Sequence, residues 1–306
     1  MTGPLMTGER LDALARAGLV WHPTGEAALR GPLLRLADDC DRAFVRLASG
    51  WEAQEERHPA TLPAELLQRV DYLRSFPHQA TFAVAMDGDE ANLEAFLSGP
   101  VLTGSGAVAP AALAPVRDVL TPAACYHLYR AHEGESLDRP LHLTTRNTCF
   151  RREHEYVPLR RLRSFSMREV VCLGTRAETA AFLAALRERV ERFCELVGLP
   201  VEWANATDPF FRPQRNPKAL LQRIAPVKHE AVYGDLAIGS TNDHHDRFGE
   251  GFGIDRDGAP AHSACVAFGI ERWLFALTDR HGTDPAGWPA LPDAAAEAAD
   301  AAGGRP

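Results

Sequence analysis

The sequence predicts an α+β fold in which a mostly antiparallel sheet is flanked by helices. Three observations carry that prediction. Residues 141–153 and 165–173 alternate as strands and are joined by an arginine-rich loop, which makes a long hairpin. A capped helix follows at once. No regular strand–helix–strand series, the pattern that builds parallel sheets, recurs along the chain.

Taken in order, residues 1–60 read as helical, with Leu, Ala and Arg at helical spacing. Pro63 is placed to open a short helix and Pro77 to end it. Thr81 to Met86 alternates like a strand, and the small-residue run 99–115 reads as a loop. The hairpin strands come next. Thr175 and Glu178 form a capping box, and Leu183, Leu186, Val190, Phe193 and Val197 give that helix an apolar face before Gly198 and Pro200 stop it. Residues 236–254 mix Gly, Asn, Asp and His, a loop or strand-edge composition. Residues 262–269 read as a buried strand, and a helix starts after Gly269. The expected organisation is one domain over 1–287, with 288–306 too poor in apolar variety to pack and therefore disordered.

The 306 residues carry 33 basic and 41 acidic side chains, a formal charge of −8. Nucleic-acid binders draw most of their affinity from a basic surface, so this balance weighs against tRNA or DNA as the main partner. No apolar run is long enough to span a membrane, and the N-terminus lacks the pattern of a secretory signal. A cytoplasmic location is expected. The six cysteines include no C-x-x-C pair, so the default is reduced, buried thiols.

Two places have chemical potential. On the hairpin, side chains two apart share a face, which groups Cys149, Arg151 and Glu153 on one strand and Phe165, Met167, Glu169 and Val171 on the other. Arginine offers paired charge-assisted bonds to a phosphate, and phenylalanine offers a stacking surface. A surface hairpin with ordinary ion pairs is the plain alternative. The second place is Gly269-Ile270-Glu271-Arg272, where a strand turning into a helix presents free N–H groups near an arginine, a natural phosphate site or simply a helix start. His244-His245-Asp246 reads as polar loop; neighbours on a strand point opposite ways, so at most one of the two histidines could reach a pocket.

These strings resemble a known family. Cys149-Phe150-Arg151-Arg152-Glu153, the basic loop with Arg160 and Arg161, and Arg163-Ser164-Phe165-Ser166-Met167-Arg168-Glu169 resemble motif 2 of class II aminoacyl-tRNA synthetases. Ala267-Phe268-Gly269-Ile270-Glu271-Arg272 resembles motif 3. Gly239-Ser240-Thr241-Asn242 and Phe248 resemble the substrate-side strand of seryl-tRNA synthetases. Tyr72-Leu73-Arg74-Ser75-Phe76-Pro77, Asp208-Pro209-Phe210-Phe211 and Lys228-His229-Glu230 are similar to the amino acid:[carrier protein] ligases, truncated relatives of the atypical zinc-dependent seryl-tRNA synthetases. The likeness covers most of residues 60–285.

The resemblance implies the class II synthetase catalytic fold, a homodimer, and ATP, Mg²⁺ and Zn²⁺ in the reaction. It places Arg151 on the α-phosphate, Arg272 on the γ-phosphate, Phe165 against adenine and Glu153 at the adenine edge, the two arginines being the catalytic groups. Ser240, Asn242 and Glu230 fall on the substrate side. Cys125, Glu169 and Cys265 are the implied zinc ligands, leaving a fourth position for the substrate's α-amino group; without the resemblance they read as two buried thiols and a carboxylate paired with arginine. Cys149 and Cys172 read as core. One departure stands: where seryl-tRNA synthetases carry a magnesium-binding glutamate, this chain has Leu236 or Ala237, with Asp235 or Glu230 as substitutes. Motif 1, the dimer motif, has only Pro63 as a candidate.

The expected activity is ATP-dependent conversion of a small amino acid, glycine or alanine in type, to its adenylate, with transfer to the phosphopantetheine thiol of a carrier protein. A tRNA-charging enzyme of the atypical seryl type is the first alternative; the acidic balance and the short stretch before the catalytic-looking part disfavour it, and no tRNA partner or membrane is expected. A non-catalytic paralogue is the second alternative, disfavoured by the retained arginines and cysteines. Arg187, Arg189 and Arg192, or Arg212, Arg215 and Lys218, are candidates to receive an acidic carrier, each set otherwise a solvated face.

Overall fold

Residues 6–301 are described by the structure, a computed structural model. A seven-stranded sheet runs in the order Glu202–Ala206, Lys228–Tyr233, Leu236–His245, His262–Gly269, Ser164–Gly174, Leu141–Phe150 and Gln54–Glu56. All neighbours are antiparallel except Gln54–Glu56, which joins its partner in parallel. This is the α+β, class II synthetase-like arrangement the sequence predicts.

Register sorts the sheet into two chemically different faces, because side chains alternate. Thr145 pairs with Glu169 and Cys149 with Phe165. Ala267 lies opposite Glu169, and Asn242 opposite Cys265. Val170, Cys172, Ala264, Val266 and Phe268 fall on the other face. There they join the main apolar core, formed with helices Gly31–Leu47, Arg176–Leu196 and Ile270–His281. Phe44 of the first helix stacks on Phe268, ring centroids 4.2 Å apart. Burial on one face thus leaves the polar residues of the same strands together on the other.

The capping box forms as expected: Glu178 N–H donates to Thr175 Oγ1 (3.3 Å) and Thr175 N–H to Glu178 Oε2 (2.6 Å). The helix ends at Leu196, ahead of Gly198 at φ +67°. The strand at 262–269 and the helix from Ile270 also match their expected bounds.

Four expectations need correction. Residues 1–60 are not helical throughout. Helices Gly8–Ala17 and Gly31–Leu47 are separated by a two-stranded hairpin, Leu19–His22 with Glu26–Leu29, and Gln54–Glu56 is an edge strand. Gly18 ends the first helix at φ +117°, where a Cβ would strike the Arg30 carbonyl. Within 81–86 only Phe82–Ala83 is strand, and residues 236–245, a loop or strand edge by composition, are an interior strand, as the likeness of 239–242 to a substrate-side strand implies. The fourth correction concerns the tail. Leu291–Ala301 is a helix whose Leu291, Ala295, Ala298 and Ala299 are buried against Gly31–Leu47 and Arg176–Leu196. Alanine is the best helix former, and its small side chains let helices approach closely, so low apolar variety did not mean disorder here. Residues 302–306 lie outside the described residues. No described helix is long and apolar enough to cross a membrane.

Candidate active site and metal centre

The polar face of the sheet carries the site. Cys125 stands at the start of the short helix Tyr126–Ala131, Glu169 on the second hairpin strand, and Cys265 on the adjoining strand. One ligand atom from each lies within 4.8 Å of the others, and all three residues are buried. Glu169 Oε1 accepts the Ala124 N–H at 2.8 Å, while Oε2 is shielded from solvent with no hydrogen-bond partner. Burial raises the Glu169 carboxyl to about 7, and the Cys265 sulfur adds to the rise. Between the sulfurs, Cys125 donates and Cys265 accepts. Cys265 is therefore held well below the ordinary thiol range and Cys125 well above it, with burial adding to the latter.

Asn242 Nδ2 (3.3 Å) and His244 Nε2 (3.7 Å) also serve the Cys265 sulfur. Burial alone would lower the pKa of His244, but Cys265 and Glu169 outweigh it and the net shift is upward. A buried carboxylate oxygen without a partner and a thiol poised as thiolate fit a divalent cation. Two sulfurs and one oxygen are a zinc-type donor set with one position left open.

Next to this cluster is a cavity of about 740 Å³, lined among others by Tyr126, Phe210, Asn242, His244 and Phe248. A second cleft of about 100 Å³ is lined by Glu153, Phe165, Glu230, Gly269 and Arg272. The two share Arg151, Met167, Lys228, Ser240 and Ala267 as a common wall.

Arg151 continues the hairpin pairing, its N–H donating to Arg163 C=O at 3.1 Å. Its guanidinium donates to Pro122 C=O (3.2 Å from Nη2) and lies 5.1 Å from the Phe165 ring centroid. Arg272 is fixed by donation to the carbonyls of Arg160 and Ala237, both at 3.0 Å. Burial, then the neighbouring Arg151, lowers it to about 10, which leaves it cationic at neutral pH. Glu271 ties the two signature segments together, both carboxylate oxygens accepting the Ser166 N–H (3.0 and 2.9 Å).

The candidate residues therefore converge in one place: Cys125, Glu169 and Cys265 at one end, Arg151 in the middle, Glu153, Phe165 and Arg272 at the other, with Ser240, Asn242 and Glu230 along the wall. Cys149 and Cys172 are buried core, their thiols pushed up by burial. Asp235 is engaged by Arg160 (2.7 Å). Arg189 is not on a polar face: it is buried, donating to Leu47 and Ser49 carbonyls, so it leaves the set of carrier-facing arginines.

Sequence reasoning missed two residues. His244 reads from sequence as polar loop, yet two residues past Asn242 it shares that residue's strand face and points beside Cys265. Asp208 appeared only as part of a resemblance. It is a cavity-lining carboxylate held by Lys228 Nζ (3.1 Å) and Gln222, which outweigh the upward push of burial on its pKa.

Comparison with known proteins agrees with this geometry. Residues 117–281 match the family described as tRNA synthetase class II core domain (G, H, P, S and T). The fold and the site define a class II synthetase core. Two relatives from Bradyrhizobium diazoefficiens, Amino acid--[acyl-carrier-protein] ligase 2 and 1, are 33% and 34% identical over 290 and 291 residues. They cover 91% and 92% of this chain and 85% and 87% of their own lengths. The Type-2 serine--tRNA ligase of Methanopyrus kandleri is 24% identical over 76% of this chain and 48% of its own length. Among solved structures, M. kandleri SerRS in complex with A. aeolicus tRNASec superposes with a TM-score of 0.75 at 21% identity. This chain is covered to 97% and spans 61% of that one. Seryl-tRNA synthetase from Pyrococcus horikoshii complexed with ATP gives 0.65 at 15% identity, covering 89% and 58%. The chain belongs to the class II synthetase core family and, within it, to the amino acid:[carrier protein] ligases, which are ATP-dependent ligases.

Proposed function

We propose that the protein activates a small amino acid, of glycine or alanine size, as its adenylate and passes it to the phosphopantetheine thiol of a carrier protein. The observation that carries this reading is the meeting of Cys125, Glu169 and Cys265 in a cavity that shares Arg151 with an arginine-lined cleft. A carboxylate on one side of Arg151 can then meet an α-phosphorus on the other.

In the first half-reaction a substrate carboxylate oxygen bonds to the α-phosphorus of ATP, and the bond to pyrophosphate breaks. Negative charge grows on the phosphate oxygens. Arg151 faces that charge at the shared wall, and Arg272 holds the far end of the triphosphate. Fixed cations in a buried cleft stabilise such charge without reorganising. Phe165 and Glu153 lie where the adenine ring and its edge would rest. Of the two carboxylates suggested for Mg²⁺, Glu230 lines this cleft, 3.4 Å from Lys228 Nζ, whereas Asp235 is not in its lining and pairs with Arg160. Zinc held by Cys125, Glu169 and Cys265 supplies a Lewis-acidic position for the substrate's α-amino group. Asn242 and Ser240, hydrogen-bonded to each other at 3.1 Å, flank that position and orient the carboxylate.

Tyr126 and Phe248, ring centroids 5.8 Å apart, line the cavity with the three ligands and give a substrate side chain an apolar wall. The remainder of the cavity, toward Phe210, Leu221 and Ile224, suits a pantetheine arm. In the second half-reaction the thiol sulfur bonds to the activated carbonyl and AMP leaves, a step that needs mainly proximity. The homodimer rests on the resemblance.

The test is ATP–pyrophosphate exchange across the amino acids, with and without a zinc chelator, followed by transfer to holo-carrier protein or tRNA. Exchange with glycine or alanine that stops on chelation, and labelling of the carrier alone, supports the reading. Exchange only with serine and labelling of tRNA favours a tRNA-charging enzyme, and no exchange favours a binding paralogue.

A further inference from the structure

A second group of potential metal ligands lies outside the Cys125–Glu169–Cys265 cluster, and two of its members, Asp243 and His245, line the larger cavity. Asp243 and His245 end the Leu236–His245 strand, and His262 begins the strand beside it. One ligand atom from each of these three lies within 4.8 Å of the others.

The arrangement follows from the β-bulge. Between Asp243 and His245 the pairing slips, so that Asp243 faces Ala264 and His245 faces Ser263. His244 points to Cys265 on the same strand face as Asn242, and His245 follows at φ +53°, a conformation an L side chain rarely adopts. Its imidazole Nδ1 is 3.5 Å from Asp243 Oδ1, and its ring stands at 86° to that of His262, centroids 6.3 Å apart. What brings the two imidazoles and the carboxylate within reach of one ion is the 4.8 Å spread of their ligand atoms. His262 Nδ1 is shielded from solvent and has no hydrogen-bond partner among the described residues, a cost that an ion bound at that nitrogen offsets.

We propose that Asp243, His245 and His262 form a second metal site, for a divalent transition ion of the zinc, cobalt or nickel type. Imidazole nitrogen is the preferred donor for those ions. The hard cations Mg²⁺ and Ca²⁺ prefer oxygen, of which this site offers one carboxylate. Asp243 and His245 are partly exposed, so the ion enters from solvent and keeps water in its remaining positions. It clamps the two strand ends at the bulge, next to His244. The site has no sulfur, which separates it spectroscopically from the Cys125–Cys265 cluster.

The test uses the full chain, stripped of metal by a chelator and titrated with Co²⁺ alone. Thiolate ligation gives an intense sulfur-to-cobalt charge-transfer absorption, which reports the cysteine cluster, while equilibrium dialysis counts total bound ion. Wild-type protein should take up one equivalent with that absorption and a further, weaker one without it. His245→Ala and His262→Gln should each weaken the second uptake beyond the roughly 10–100-fold cost of losing an outer-shell partner. Both should leave the charge-transfer band intact, which also shows that the variants are folded. Cys265→Ala should abolish the band and keep the sulfur-free equivalent. A band that fails to form while the sulfur-free equivalent is present overturns the zinc assignment in the proposed function and leaves this site standing. Uptake that ends with the thiolate equivalent, or a second equivalent that survives in both histidine variants, overturns the second site.

Discussion

Three groups address the Cys265 sulfur: the Cys125 thiol, the Asn242 amide and the His244 imidazole. Replacing Cys265 with alanine should remove the thiolate-bound metal and adenylation together. Arg272→Ala should leave the metal in place and lower the adenylation rate by about 10²–10³, the usual cost of losing one charge-stabilising group. Metal content by elemental analysis alongside exchange rate separates the two. Glu169 sets a pH dependence. Burial raises its carboxyl from the ordinary 4.5 to about 7, so the metal-free folded state holds that proton more tightly than the unfolded chain does. Its contribution to stability is present in full below about 4.5 and is lost as pH rises through about 7. A metal ion displaces the proton, so the rise in melting temperature on adding zinc should be larger near pH 8 than near pH 6. A gain that shrinks with rising pH contradicts the assignment. None of the three ligands was legible from composition or spacing; only the surrounding motifs located them, because metal sites assembled from distant strands leave no local pattern.

At the level of elements, the hairpin and the strand–helix unit at 262–281 were legible because alternation and glycine punctuation act locally. The capping box was equally plain, and Thr175→Ala should cost about 1 kcal/mol in chemical denaturation without touching exchange activity, since it removes the bond to Glu178 N–H far from the cavity. The strand carrying Ser240 and Asn242 was not legible. Its Gly, Asn, Asp and His composition has low strand propensity, and tertiary pairing on both sides overrides it. His244 goes with that strand: once the segment is strand, alternation from Asn242 puts it on the cavity face.

Across the molecule, one apolar layer of helices behind the sheet holds the polar face rigid in front of it. The helix Leu291–Ala301 completes that layer, and the sequence concealed it because alanine carries little hydrophobic contrast. Leu291 is buried, so Leu291→Ala should destabilise the whole domain by about 2–5 kcal/mol. A disordered tail would show no change in the denaturation midpoint. The acidic total charge masks a concentrated cationic cleft around Arg151 and Arg272, which is why bulk charge argued only about partners and not about ATP.

The claim on which the account depends is that two sulfurs and one carboxylate hold a single zinc ion beside the ATP cleft. X-ray absorption at the zinc edge, on protein carrying one equivalent of zinc, tests it most directly. Two sulfur scatterers at about 2.3 Å with oxygen or nitrogen at about 2.0–2.2 Å are expected. The sulfur shell should be halved in Cys125→Ala. A shell without sulfur in fully active protein contradicts the account.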